Sequence, residues 1–205
     1  SRWCADTAAE VIHYYAGAVD KHLGHTYPVA GGVTMTFHEP LGVVGLIVPW
    51  NFPLLIACWK LGPALACGNT VILKPAETTP LSAIRLGELA LEAGIPEGVL
   101  QVVVGAGPEA GWRLVEHPLV RKIGFTGSTA VGKRIMAGCA DQMKRVTLEL
   151  GGKSANIVFA DADIETVAAS APGAVFDNSG QDCCSRSRIF VQRPIFDEFV
   201  ELMIA

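Results

Sequence analysis

The sequence predicts an α/β protein: a parallel β-sheet with helices on both faces, followed by the start of a second α/β unit. Three observations carry that prediction. Short β-branched runs alternate with segments of helical periodicity from residue 42 onwards. The links between them are short, as in chains that wind back and forth across one sheet. Half of the 205 residues are apolar and 18% are charged, which supplies the hydrocarbon that a sheet covered on both sides needs.

The elements follow in order. Residues 5–23, "ADTAAEVIHYYAGAVDKHL", are rich in helix formers with apolar positions at helical spacing, and Gly24 is the stop. Residues 27–38 contain "GGVTMTFH", a β-prone stretch suited to an edge strand or hairpin arm. "GVVGLIV" (42–48) is a continuous β-branched run of the kind that buried parallel strands show. A helix over 54–68 is interrupted in pattern by Pro63 and ends at Gly68. A strand at 70–74 leads to a helix from Pro80 to Ala93. Strand 99–105, helix 108–117, strand 120–126, helix 130–140 and strand 145–150 complete the alternation. After "GGK" (151–153) it restarts with strand 155–159, helix 163–176, strand 188–192 and helix 195–204. The predicted organisation is an N-terminal helix and edge-strand segment over 1–40, a parallel-sheet domain over 41–150, and the beginning of a second domain over 151–205.

Bulk properties exclude several functions. Net charge is −4 with a pI of about 5.7, and basic residues are scattered, so neither nucleic acid nor an anionic membrane is an expected partner. The longest apolar run, near Gly42–Pro49, is too short to span a bilayer. The first residues carry Asp and Glu and lack the apolar centre of a signal peptide, so a cytoplasmic setting is expected. Cysteines fall at irregular intervals (4, 58, 67, 139, 183, 184), with no Cys-x-x-Cys and no His at ligand spacing. Neither a disulfide framework nor a structural metal site is expected.

Ligands of such sheets bind beyond the C-terminal ends of the strands, and Asn51, Lys74, Gly105, Thr126 and Glu149 fall there. "VPWNFPL" (48–54) fixes Asn51 among prolines and aromatics; it is either a turn former or an amide donor to a developing oxyanion. "LKPAE" (73–77) ends a strand with Lys74 and Glu77. The pair is either solvated charge in a loop, or a donor and acceptor for ribose hydroxyls whose carboxylate repels a 2′-phosphate. "GAGPEAG" (105–111) lacks the spacing of the dinucleotide fingerprint and serves equally as a tight turn. "FTGST" (125–129) offers backbone N–H groups at a helix start, although capping alone would account for Ser128. "LELGGK" (148–153) sets Glu149 before two glycines, as a general base or as an exposed carboxylate.

"NSGQDCCSRSRIF" (178–190) raises the sharpest question. One thiol of the adjacent pair could be a nucleophile, with Arg186, Arg188 or a helix N-terminus lowering its pKa. A vicinal disulfide has poor geometry. The remaining reading is a pair of small buried hydrophobes.

Taken together, "PWNFPL", "LKPAETTP", "EAGIPEGV", "FTGST", "VTLELGGKS" and "NSGQDC" resemble, in order, motifs of the aldehyde dehydrogenase superfamily, on its NAD(P)-dependent, non-acylating branch. The resemblance runs from about residue 40 to 192. It implies a Rossmann-like sheet and the oxidation of a small-molecule aldehyde to a carboxylic acid. Cys183 would be the nucleophile, passing through a thiohemiacetal and a thioester. Asn51 and the Cys183 N–H would hold the oxyanion, and Glu149 would activate the hydrolytic water. Lys74 and Glu77 would bind the adenosine ribose, Gly127 and Ser128 would face the pyrophosphate, and Trp50 and Gly107 would complete the cofactor site. NAD is implied over NADP, and Cys184 would be a non-catalytic neighbour.

Two departures stand out. Asp182 occupies a position where many relatives carry an apolar residue or Cys, which could favour a cationic aldehyde or disfavour the thiolate. "SRSR" is more basic than the family's usual small-residue run. Family members are also much longer, so the sequence reads as part of a chain. The isolated segment is expected not to turn over, and the full-length parent is expected to be a homo-oligomer. Two rival readings remain at this stage. A CoA-acylating enzyme would not need Glu149, and a non-catalytic structural relative would not need Cys183 and Glu149 together.

Overall fold

The computed structural model describes residues 2–204. The chain forms two compact units, Ser1–Glu149 and Leu150–Ala205. In the first, helix α1 (Arg2–Ala16) and a single 3-10 turn (Val19–Lys21) precede an antiparallel hairpin of β1 (Thr26–Val29) and β2 (Gly32–Met35). A five-stranded sheet follows, in the order β5-β4-β3-β6-β7. Its strands are β3 (Val43–Ile47), β4 (Thr70–Lys74), β5 (Leu100–Val102), β6 (Val120–Gly127) and β7 (Arg145–Leu150). β3 pairs in parallel with both β4 and β6, and β4 pairs in parallel with β5.

Alternation along β3 explains why helices lie on both faces. Val44, Leu46 and Val48 point to one side and join Val71 and Leu73 of β4. They are covered by Ile56, Ala57 and Leu61 of α2 (Pro53–Ala66) and Ala83 of α3 (Leu81–Glu92). Gly45 and Ile47 point the other way. A Cβ built on Gly45 would lie 3.5 Å from Leu114 of α4 (Trp112–Glu116), and one on Gly111 would lie 3.8 Å from Ile47 Cδ1. α5 (Thr129–Ala140) packs beside α4. The central strands β4, β3 and β6 are mostly buried, whereas β7 alternates exposed and half-buried residues, as an edge strand does.

Local chemistry sets the boundaries. α2 starts with Pro53 at its first position and tolerates Pro63, and Gly68 turns the chain at φ +73°. Buried Asn69 then ties the turn down. Its Oδ1 accepts the N–H groups of Leu41 (2.7 Å) and Gly42 (3.2 Å), and its Nδ2 donates to Ala64 O (3.0 Å). Lys144 is buried at the start of β7 and its ammonium donates to Val115 O and His117 O, both at 2.6 Å.

Four elements differ from the sequence reading. The first helix begins at Arg2 and ends at Ala16, because the chain breaks at Gly17 before a 3-10 turn. The segment 108–117 opens with a π-helical turn (Gly107–Gly111) before α4. Strand 99–105 shortens to Leu100–Val102, the three residues that pair with Val71–Leu73 of β4. The helix expected over 163–176 is two pieces, α6 (Ile164–Ser170) and α7 (Gly173–Phe176), divided at Pro172.

In the second unit β8 (Ala155–Val158) pairs in parallel with β9 (Arg188–Val191). Val158, Ala168 and Phe199 form its core, the last from α8 (Phe196–Ile204). Asp163 caps α6, its Oδ1 accepting Thr166 N–H at 3.2 Å.

Candidate active site

Strand order locates the crevice of the first unit. From β3 the chain winds outward through β4 to β5, then returns to lay β6 on the other side of β3. That reversal puts a topological switch point between β3 and β6, where open α/β sheets bind ligands. Register shows which residues share this edge: Ile47 is level with Lys74 on one side and Phe125 on the other. β3 and β4 therefore end at one height and β6 two residues beyond it, with Trp50 and Asn51, Lys74 and Glu77, and Gly127 and Ser128 at or just past those ends.

Lys74 is not the solvated loop charge that the sequence left open. It is only 2% exposed, and its ammonium donates to Pro75 O at 2.8 Å and reaches Glu77 Oε2 at 3.5 Å. Glu77 remains exposed. Its carboxyl is held below the ordinary range, first by its own backbone N–H, with Lys74 and the backbone of Gly107 adding to the effect. The carboxylate, the buried cation and the turn after β5 thus meet at one point. A Cβ added at Gly107 would meet nothing within 4 Å, so open space faces that backbone.

On the β6 side, a Cβ on Gly127 would strike the Phe125 ring at 2.5 Å, which accounts for the glycine. Ser128 is exposed and caps α5, its Oγ accepting Val131 N–H at 3.4 Å. Thr126 Oγ1 is buried and makes no hydrogen bond to protein. Trp50 is half exposed, and Asn51 is partly buried immediately before α2.

Glu149 lies exposed on β7, on the same side of the strand as Thr147. Sequence reasoning missed its neighbour Lys60. Burial lowers the Lys60 pKa, the charge of Glu149 works against that, and Lys122 adds to it. The signal was available: Lys60 is the one charged residue of an otherwise apolar α2.

In the second unit Cys183 sits half-buried in a turn between α7 and β9. Asp182 organises the turn. Its Oδ1 accepts Cys184 N–H at 3.0 Å, and its carbonyl accepts Ser185 Oγ at 2.9 Å and Ser185 N–H at 3.3 Å. The Arg186 N–H donates to Ala174 O at 3.2 Å and pins the loop to α7. A Cβ on Gly152 would come within 3.1 Å of Cys183 O, so the glycine lets the two backbones pass. Cys183 and Cys184 are free thiols with sulfurs 3.7 Å apart.

The expected activation of this thiol by the following arginines does not occur. Burial pushes Cys183 up to about 11, and Cys184 and Asp182 push in the same direction. Arg188 is turned away, its Nε donating to Lys153 O at 2.8 Å and its guanidinium lying 5.4 Å from the Phe190 ring centroid. The carboxylate of Asp182 and the two sulfurs bring three potential ligand atoms within 4.8 Å of one another, a cluster that Cys-x-x-Cys and His spacing rules do not detect.

Comparison with known proteins gives a consistent result. The sequence model of the Aldehyde dehydrogenase family matches residues 3–205. Retinal dehydrogenase 2 of Mus musculus is 55% identical over 194 residues, which cover 94% of this chain and 38% of that protein. The human "Aldehyde dehydrogenase, mitochondrial" is 52% identical over 202 residues, covering 98% and 39%. The NAD+ complex of aldehyde dehydrogenase from Bacillus cereus superposes with a TM-score of 0.94 at 48% identity, covering 97% of this chain and 41% of that one. The chain thus spans about two fifths of the length of the relatives it matches.

Proposed function

Since the chain belongs to the aldehyde dehydrogenase family, we propose that the full-length protein oxidises an aldehyde to a carboxylic acid with NAD, using Cys183 as nucleophile. The observation that carries the cofactor half of this reading is that β3 and β4 end level with each other at Ile47 and Lys74, beside Phe125 of β6, at the switch point. Lys74 and Glu77 suit the adenosine ribose: the carboxylate accepts hydroxyl protons, and the ammonium has a third N–H to donate. The same carboxylate disfavours a 2′-phosphate, which supports NAD over NADP. Gly107, Gly127, Ser128 and Trp50 complete the cofactor side. NAD supplies the hydride acceptor. The Bacillus cereus relative, by its title, binds NAD+.

On the substrate side, the Cys183 sulfur attacks the aldehyde carbonyl and forms a thiohemiacetal. The Asn51 side-chain amide and the Cys183 backbone N–H hold the developing oxyanion. Loss of hydride leaves a thioester. Glu149 takes a proton from water, the resulting hydroxide displaces the thiolate, and the acid departs. Burial and its neighbours raise the Cys183 pKa in this chain, so this reading requires its proton to leave as the carbonyl is attacked. A CoA-acylating course has less support, since it leaves Glu149 without a task. The hairpin exposes Tyr27, Val29, Val33 and Met35, which supports assembly of the full-length protein with copies of itself.

The test is NADH release from the full-length protein across aliphatic, aromatic and amino aldehydes, with product identified as free acid or acyl-CoA. Cys183→Ser is expected to lower turnover by about 10³-fold or more. Normal turnover in that variant would discard the mechanism.

A further inference from the structure

We propose that Asp182, Cys183 and Cys184 form a binding site for a thiophilic divalent cation, zinc first, whose occupancy silences the nucleophile. The inhibitory consequence rests on the reading of Cys183 given above; the binding itself does not.

Adjacent residues in an extended strand direct their side chains to opposite faces. The turn at 182–185 brings the neighbouring sulfurs to 3.7 Å instead. A tetrahedral ion with sulfur at about 2.3 Å sets two such ligands roughly 3.8 Å apart, so the pair already has the bite that zinc requires. The Asp182 carboxylate lies within 4.8 Å of both sulfurs, and its hydrogen bond to Cys184 N–H holds it over the turn. Two sulfurs and one carboxylate make three protein ligands, and water would complete the tetrahedron. Sulfur selects zinc, cadmium and copper(I) over magnesium or calcium.

The turn is braced independently of any ion, by Ser185 Oγ on Asp182 O and Arg186 N–H on Ala174 O. Exposed Cys184 and half-buried Cys183 keep the site within reach of solvent in this unit. On binding, each thiol releases one proton to solvent, two metal–sulfur bonds form and no electron moves. A sulfur whose lone pair is committed to a metal cannot attack a carbonyl. A chelator removes the ion and restores the thiol, so the block is reversible.

The test uses the full-length protein with reduced thiols. Cadmium serves as a probe, because its thiolate-to-metal charge-transfer absorption reports sulfur ligation without any need for turnover. Zinc affinity is measured by competition with a chromophoric chelator. One ion per chain is expected. Cys184→Ala should cut the cadmium band by about half and weaken zinc at least about tenfold. Asp182→Asn should weaken zinc and retain the band, and Cys67→Ala, at an exposed thiol elsewhere, should change neither. Zinc should inhibit aldehyde oxidation by the unsubstituted protein, with relief by chelator, and Cys184→Ala should need about tenfold more zinc for the same inhibition. Equal zinc affinity in Cys184→Ala, or stoichiometric cadmium without the charge-transfer band, would overturn the site. An inactive protein that still gives the band would refute the dehydrogenase reading and leave the metal site standing.

Discussion

At the scale of single residues, Cys183 is defined by opposing demands. Its turn buries the sulfur and places it beside a second thiol and a carboxylate, all of which stabilise the protonated form. With the thiol near 11, the thiolate fraction grows about tenfold per pH unit through the neutral range and levels off only above that value. Alkylation of Cys183 by iodoacetamide, mapped by peptide mass, should follow that slope. Asp182→Asn removes one negative charge and should speed alkylation at pH 8 by about three- to tenfold; an unchanged or slower rate would show that the carboxylate is not part of the effect. Glu77 gives a second prediction. In the proposed site its exposed carboxylate disfavours a 2′-phosphate, so Glu77→Gln should raise the preference for NADP relative to NAD by about tenfold, read as the ratio of kcat/KM values. Residue types at the strand ends were legible in the sequence because the chain pattern fixes where strands end. The orientation of Arg188 was not, since it is set by a carbonyl at Lys153, brought in by the fold, together with the ring of Phe190 two residues along the same strand.

At the scale of elements, packing overrides propensity in a way that can be measured. Gly62 lies inside α2, where Ala is ordinarily better than Gly by up to about 1 kcal/mol. Here a Cβ would lie 2.5 Å from Tyr15 Cδ2 on α1. Overpacking of that kind costs about 1–3 kcal/mol, so Gly62→Ala should lower the urea midpoint of the first unit. A rise would mean that Tyr15 swings clear at no cost. The sequence revealed which segments are helical and which extended, because β-branched runs and 3.6-residue spacing are local properties. It did not reveal the π turn at Gly107–Gly111 or the early end of β5. The first lays Gly111 beside the Lys74 side chain and Ile47, and the second follows from where β5 stops pairing with β4, at Val102 opposite Leu73. Both depend on neighbours far along the chain. Pro172 was visible, but a helical pattern on both sides concealed its effect as a break.

At the scale of the molecule, the proposed reaction draws on both units. Asn51, Glu149 and the cofactor residues belong to the first, and Cys183 to the second. Each unit has its own core, the first around β3 and β4 and the second around Val158, Ala168 and Phe199. The proposed division of labour is therefore specific. In that proposal the sulfur forms the acyl-enzyme, and the Glu149 carboxylate on β7 releases it. That division is tested most directly by mixing full-length Glu149→Gln protein with NAD and an aldehyde, then mapping the adduct by peptide mass. The account predicts one equivalent of NADH released rapidly, little further turnover, and the acyl group on the peptide that carries Cys183. Sustained turnover, or an acyl group on any other residue, would contradict it.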